Sequence, residues 1–188
     1  MSMKLTFRVG RRLGGGVLGG TALVCAAGFL PGTALASVVT PAKAGVASAF
    51  PRCRANQTLT WLGLGLGGGT AGTIFYPLEF TNTSNRTCTL WGFPRVSALS
   101  RSGVQIGKSS RHLPAPHRVL TLPPGSTVHA SLGIIDAGNV CSRPVTATTL
   151  KVHAPGQGRA TQLPFPFQAC WHKRVLVVGP VQPGVGIP

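Results

Sequence analysis

Four cysteines, Cys53, Cys88, Cys141 and Cys170, constrain this chain more than any other feature, because the segment ahead of them reads as an export leader. Outside the cytosol thiols persist as disulfides, so the four predict two bridges stapling one small domain. Lys4, Arg8, Arg11 and Arg12 give the leader a basic start, residues 13–30 supply a weakly apolar stretch, and Ala34-Leu35-Ala36 is a small-x-small cleavage site. Cleavage after Ala36 removes the fifth cysteine, Cys25, and leaves an even set. Four cysteines allow three connectivities. Pairing in sequence order, Cys53 with Cys88 and Cys141 with Cys170, closes the shortest loops and is the expected pattern.

Two rival readings of the leader are weaker. A membrane anchor wants about 20 strongly apolar residues, whereas this stretch carries Gly14, Gly15, Gly16, Gly19, Gly20 and Gly28 and is broken at Pro31. A lipid-modified cysteine follows a small residue, but Cys25 follows Leu23 and Val24. Arg11-Arg12 leaves a twin-arginine export route open, with poor glycine flanks. The expectation is a cleaved leader (residues 1–36), no membrane span afterwards, and a secreted or wall-associated protein.

Charge bounds the partners. The formal net charge is +16, and beyond residue 36 it is +12, with Glu79 and Asp136 the only acids. The cations are scattered, with no like-charge run longer than two residues and a single tyrosine. Specific nucleic-acid binders cluster Lys and Arg and interleave aromatic rings for stacking, so no specific nucleic-acid partner is expected. A dispersed cationic surface attracts any polyanion weakly.

Along the chain, residues 37–52 read as a linker, 53–180 as one domain and 181–188 as an irregular Pro/Gly tail. Short strand signals follow one another between Gly, Pro and Asn clusters. They fall at residues 58–64, 73–82, 87–93, 96–99, 104–106, 118–122, 127–135, 149–153, 162–167 and 174–178. In 73–82, Ile74, Tyr76, Leu78 and Phe80 share one face, while Pro77, Glu79 and Thr81 take the outward one; Pro77 suggests an edge or a bulge. In 127–135, Val128, Ala130, Leu132 and Ile134 form the inner face. No segment shows a helical apolar period. The predicted fold is all-β: an immunoglobulin-like, antiparallel two-sheet sandwich with two disulfides, behind a cleavable signal peptide.

The run Cys53-Arg54-Ala55-Asn56, the loop 67–72 and Phe80-Thr81-Asn82 resemble domain of unknown function 4232. Cys88-Thr89-Leu90-Trp91-Gly92-Phe93-Pro94 and Leu122-Pro123-Pro124-Gly125 extend the likeness over residues 53 to about 180. The resemblance implies a secreted or lipid-anchored β-sandwich of actinobacteria and carries over no catalytic residue. Two departures stand out: Arg95 replaces a frequent glycine, and Ser100-Arg101-Ser102-Gly103 lacks the acidic turn residue such sequences carry.

Several chemical signatures dissolve on inspection. The glycines of 63–72 match a dinucleotide fingerprint on paper, but the helix that must follow is replaced by the strand pattern Thr73-Ile74-Phe75-Tyr76. Gly103-Val104-Gln105-Ile106-Gly107-Lys108-Ser109 is one residue short of a phosphate-binding loop. Paired-carboxylate catalysis has only Glu79, read as outward, and Asp136, which opens the turn Asp136-Ala137-Gly138-Asn139. His112, His117, His129, His153 and His172 follow no metal-ligand spacing and read as surface residues. Neither metal nor cofactor is expected. Trp91 and Trp171, next to cysteines, are expected to pack in the core, as is Trp61, with sugar stacking the alternative. Asn56, Asn82 and Asn85 begin glycosylation sequons, meaningful only in a eukaryotic route.

The leading expectation is a non-catalytic envelope or secreted domain associating with anionic wall polymers, with Arg101, Lys108, Arg111 and Arg118 as contacts. An interaction or inhibitory module engaging another exported protein is the alternative, and a hydrolase the third class. A polymer binder should gather its cations, a protein binder should expose an apolar patch, and a hydrolase should bury Glu79 or Asp136 in a cleft.

Overall fold

A computed structural model of the chain describes residues 49–63 and 68–186. The chain divides into two compact units, Met1–Ala44 and Gly45–Pro188, and every described residue belongs to the second. The expected leader, its cleavage site after Ala36 and most of the linker lie outside the described residues.

The domain is all-β, with no α-helix among the described residues. Its main sheet is built on β3 (Thr73–Asn82), which pairs antiparallel with β1 (Thr58–Leu62) on one side and β9 (Thr127–Ile135) on the other. The short β2 (Gly68–Thr70) extends the first side of β3. Beyond β9 come β12 (Leu176–Val178) and β13 (Gln182–Pro183), both antiparallel to it, and β7 (Arg111–His112) closes that edge. A second sheet runs β11 (Thr161–Ala169), β10 (Val145–His153), β5 (Arg95–Leu99), β6 (Gln105–Ile106). A two-stranded ladder joins β4 (Cys88–Leu90) to β8 (Leu120–Leu122).

The alternating pattern explains the packing. Leu78 and Phe80 of β3, Val128, Ala130 and Leu132 of β9, Val96 and Ala98 of β5 and Leu150 and Val152 of β10 form one buried cluster. Each large apolar side chain so buried contributes about 1.5–3 kcal/mol. Both disulfides join the expected partners, Cys53 to Cys88 and Cys141 to Cys170. The result is a sandwich-like arrangement stapled twice. Ladders are antiparallel with one exception among the strands: β7 runs parallel to β12, with Arg111 opposite Val177.

Two further departures have local causes. Pro77 is neither at a sheet edge nor in a bulge, for β3 lies between β1 and β9. Its carbonyl accepts from Gly63 N at 2.8 Å, just past the end of β1. Both main-chain groups of a residue in an antiparallel ladder face the same neighbour, so the N–H that proline lacks falls in the gap between β1 and β2. Pro164 and Pro166 are tolerated for the ordinary reason: β11 is an edge strand, with a register shift between Ala147 and Thr149 of its partner. The segment read as an irregular tail supplies β13, with Gln182 opposite His129.

Turn chemistry substitutes one residue for another. In the β5–β6 hairpin, Ser100 supplies the side-chain acceptor: its Oγ accepts from Val104 N at 3.1 Å. Asn82 anchors the end of β3. It is 0% exposed, and its Nδ2 donates to the carbonyls of Arg86 and Leu122 at 2.8 and 2.9 Å. Its Oδ1 accepts from Ser84 N and Ser84 Oγ at 3.0 and 2.8 Å. A residue so enclosed has no room for a glycan, which removes that sequon from consideration in the folded domain.

Candidate functional site

The β7–β12 edge gathers cations from segments distant in sequence. Gly107 makes this possible: its φ is +68°, and a side chain there would collide with the carbonyl oxygens of Cys170 and Lys173. The two segments therefore touch through backbone. Lys108 N donates to Lys173 O at 3.1 Å, and Arg174 Nε donates to Ser109 O at 2.7 Å. Lys108, Arg111, Lys173 and Arg174 are all exposed. The Cys141–Cys170 bridge fixes the start of the 171–174 turn.

Of the four expected polyanion contacts, the structure brings Lys108 and Arg111 to this edge. Arg101 rides the tip of the β5–β6 hairpin, and Arg118 lies beside Val181 and Gln182. Lys173 and Arg174 were not singled out from the sequence, where they look like an ordinary pair. Only their long-range hydrogen bonds reveal them.

Glu79 corrects a sequence expectation. Its strand face is outward, as the alternation predicts, yet the residue is 0% exposed. After β13 the chain turns back across the sheet. Gly184 O lies 2.9 Å from His129 Nδ1, and Gly186 N donates to Glu79 Oε1 at 2.9 Å. A carbonyl only accepts, so the proton of His129 sits on Nδ1. A side chain at residue 186 would meet Pro77 Cβ at 2.5 Å and His129 at 2.9 Å, so only glycine lets the strap lie this low. Glu79 Oε2 is buried without a hydrogen-bond partner among the described residues.

Burial pushes the Glu79 carboxyl above its ordinary range, against the opposing pull of the Gly186 amide and the charge of His129. A carboxyl raised in the folded state contributes stability that is full below the unfolded value of 4.5 and lost as pH rises through the folded one. Each pH unit between the two is worth about 1.4 kcal/mol. E79Q should therefore differ from the native chain in slope: denaturation midpoints measured from about pH 4 upward should diverge in favour of Gln. Parallel curves would mean that Glu79 is solvated.

Other candidates resolve individually. Asp136 is exposed and caps a 3-10 turn, Ala137–Asn139, accepting from Gly138 N at 3.0 Å. It lies beyond one end of β9, while His129, opposite Glu79, lies near the other. The two acids thus do not converge. His129 and His153 are half-buried. Burial and then the charge of Arg95 push His153 below the usual imidazole range, against the backbone of Gly158 and Gln157. His112 stacks on Phe93 with centroids 4.3 Å apart, and His117 meets the same ring edge-on. Among the described residues no three metal-ligating side chains gather in one place.

The tryptophans differ from expectation. Trp171 is 46% exposed, so proximity to Cys170 does not bury it. Trp91 is half-buried under the Arg52 guanidinium, 3.5 Å from the ring centroid. Trp61 is also half-buried and donates from Nε1 to Thr81 Oγ1 at 3.1 Å. The strand at Thr73–Asn82 and the two-residue β6 leave no helix where either phosphate-loop signature needs one.

This geometry defines a class: a doubly disulfide-stapled, sandwich-like β domain with a basic edge. The chain belongs to the family described as Domain of unknown function (DUF4232), whose model matches residues 53–182. No curated protein and no solved structure matches the chain significantly. Among the described residues, no helix is long and apolar enough to cross a membrane.

Proposed function

We propose that this is an exported, non-catalytic domain that associates with anionic polymers, phosphate- or uronate-bearing, through the β7–β12 edge. One observation carries the reading: Lys108, Arg111, Lys173 and Arg174 converge on one exposed edge, while both acids of the chain are engaged elsewhere, Glu79 with Gly186 and Asp136 with Gly138. Cations without acidic partners keep their full attraction for a polyanion. The two disulfides accord with an oxidising location outside the cytosol.

Each exposed ion pair is weak, about 0.2–1 kcal/mol, so affinity requires several at once. Binding to soluble polyphosphate or polygalacturonate should be measurable at low salt and vanish as the Debye length shortens to about 3 Å near 1 M. K108E/R111E/K173E should weaken it by about tenfold or more. The control R54E/R95E/R159E, which makes the same change in net charge elsewhere on the surface, should cost much less. Binding that persists in 1 M salt, or equal losses in the two triple variants, would defeat the assignment to this edge.

A further inference from the structure

Among the described residues, the core does not close at one end of the sandwich. Along the inner face of β3, Phe80 and Leu78 are fully buried, Tyr76 is half-buried and Ile74 is 48% exposed. The inner face of β9 follows the same gradient, from buried Val128, Ala130 and Leu132 to half-buried Ile134, which pairs with Ile74. Across from them stand Phe165 and Phe167 of β11. Phe165 meets Tyr76 edge-on at 5.0 Å, and the two phenylalanines are 6.1 Å apart. Between the sheets this leaves a cleft of about 450 Å³, with Asp136 on its rim. That volume lies in the range of small-molecule sites.

Two properties distinguish the cleft from a packing defect. Its apolar lining comes from residues whose strand positions point them at the core, so exposing them costs about 25 cal/mol for every Å² left in water. Among the described lining residues, its one carboxyl side chain, Asp136, is held in place. Asp136 N donates to Gly72 O at 2.8 Å, its carbonyl accepts from Asn139 N at 3.1 Å, and Oδ1 accepts from Gly138 N at 3.0 Å. Among the described residues no hydrogen bond occupies Oδ2. A fixed carboxylate at the mouth of an apolar cleft is complementary to a cation on an apolar stem, and charge-assisted hydrogen bonds are the strong kind.

We propose that this cleft binds a small amphiphilic amine, its apolar body lodged among Ile74, Tyr76, Ile134, Phe165 and Phe167 and its ammonium bonded to Asp136. The chain's overall positive charge opposes cations in general, so the site selects only those whose apolar part fills the cleft.

The test compares three probes of equal chain length, n-octylamine, n-octanol and n-octanoate, titrated into the folded exported chain and followed by NMR of the Ile74 methyl and Phe165 and Phe167 ring signals. Octylamine should bind about two- to fivefold more tightly than octanol, with octanoate weakest. Asparagine is as good a cap as aspartate, so D136N keeps the turn; it should reduce octylamine to the affinity of octanol and leave octanol unchanged. No shift at those signals with any probe, equal amine and alcohol affinities in the native chain, or an amine preference that survives D136N would each overturn the proposal.

Discussion

Replacing Asn82 with aspartate (N82D) is expected to destabilise the domain by about 3 kcal/mol or more at neutral pH. Asn82 is fully buried and uses both ends of its amide. Nδ2 ties the β3–β4 turn at Arg86 to β8 at Leu122, while Oδ1 holds Ser84. Its main chain adds bonds to Ser126 and Gly125. Aspartate keeps the Oδ1 bonds but turns two donor contacts into a carboxylate facing two carbonyls. Each buried polar group left unpaired costs about 1–3 kcal/mol, and a buried charge costs more. The sign with pH is fixed as well: the new carboxyl would titrate above its unfolded value, so the deficit should shrink as the medium is acidified. Urea midpoints at neutral and acidic pH read both effects. An unchanged midpoint would remove Asn82 from the role described.

Loss of either disulfide is expected to cost about 3–4 kcal/mol by the entropy of the loop it closes, but the two losses should differ in function. Cys53 and Cys88 are both buried, and their bridge fastens the start of the domain to β4 beside the bonds of Cys53 N to Thr89 O and Thr89 N to Pro51 O. Cys141–Cys170 holds the turn that carries Lys173 and Arg174. C141A/C170A should therefore lose polyanion affinity as well as stability, whereas C53A/C88A should lose stability alone. Thermal unfolding and polymer titration on both double variants, at a temperature where each is folded, separate these outcomes. Equal affinity losses would detach the 171–174 turn from the binding edge.

Much of this fold was legible because alternation is local. Ile74 to Phe80 and Val128 to Ile134 declare their faces within a few residues, and sequence-order pairing of the cysteines needs only loop lengths. What could not be read depends on partners far along the chain. Alternation placed Glu79 outward, and outward it is; its burial comes from Gly184 and Gly186, which carry no periodic signal and cover it through backbone. β7 is two exposed polar residues, Arg111 and His112, with no apolar pattern to announce it. The basic edge was half visible for the same reason: Arg174 reaches Ser109 across 65 residues of sequence. Pro77 resembled an edge marker, and only its register position between the ends of β1 and β2 explains it. The open end of the core escaped notice because Ile74 and Phe165 read like the rest of their strands.

The position of β9 also sets an order in time. It lies between β3, made before it, and β12 and β13, made after it. Pairing β3 with β9 requires a loop of more than forty residues to close, and the far side of β9 stays bare until residues 176–183 are available. Such non-local ladders form late and slowly. A ribosome that has delivered everything through β11 has therefore delivered a chain whose main sheet still has an open flank, and whose Glu79 still faces water. The domain completes itself only when residues 176–186 are free to dock. That leaves an interval in which the chain is unfinished and pliable.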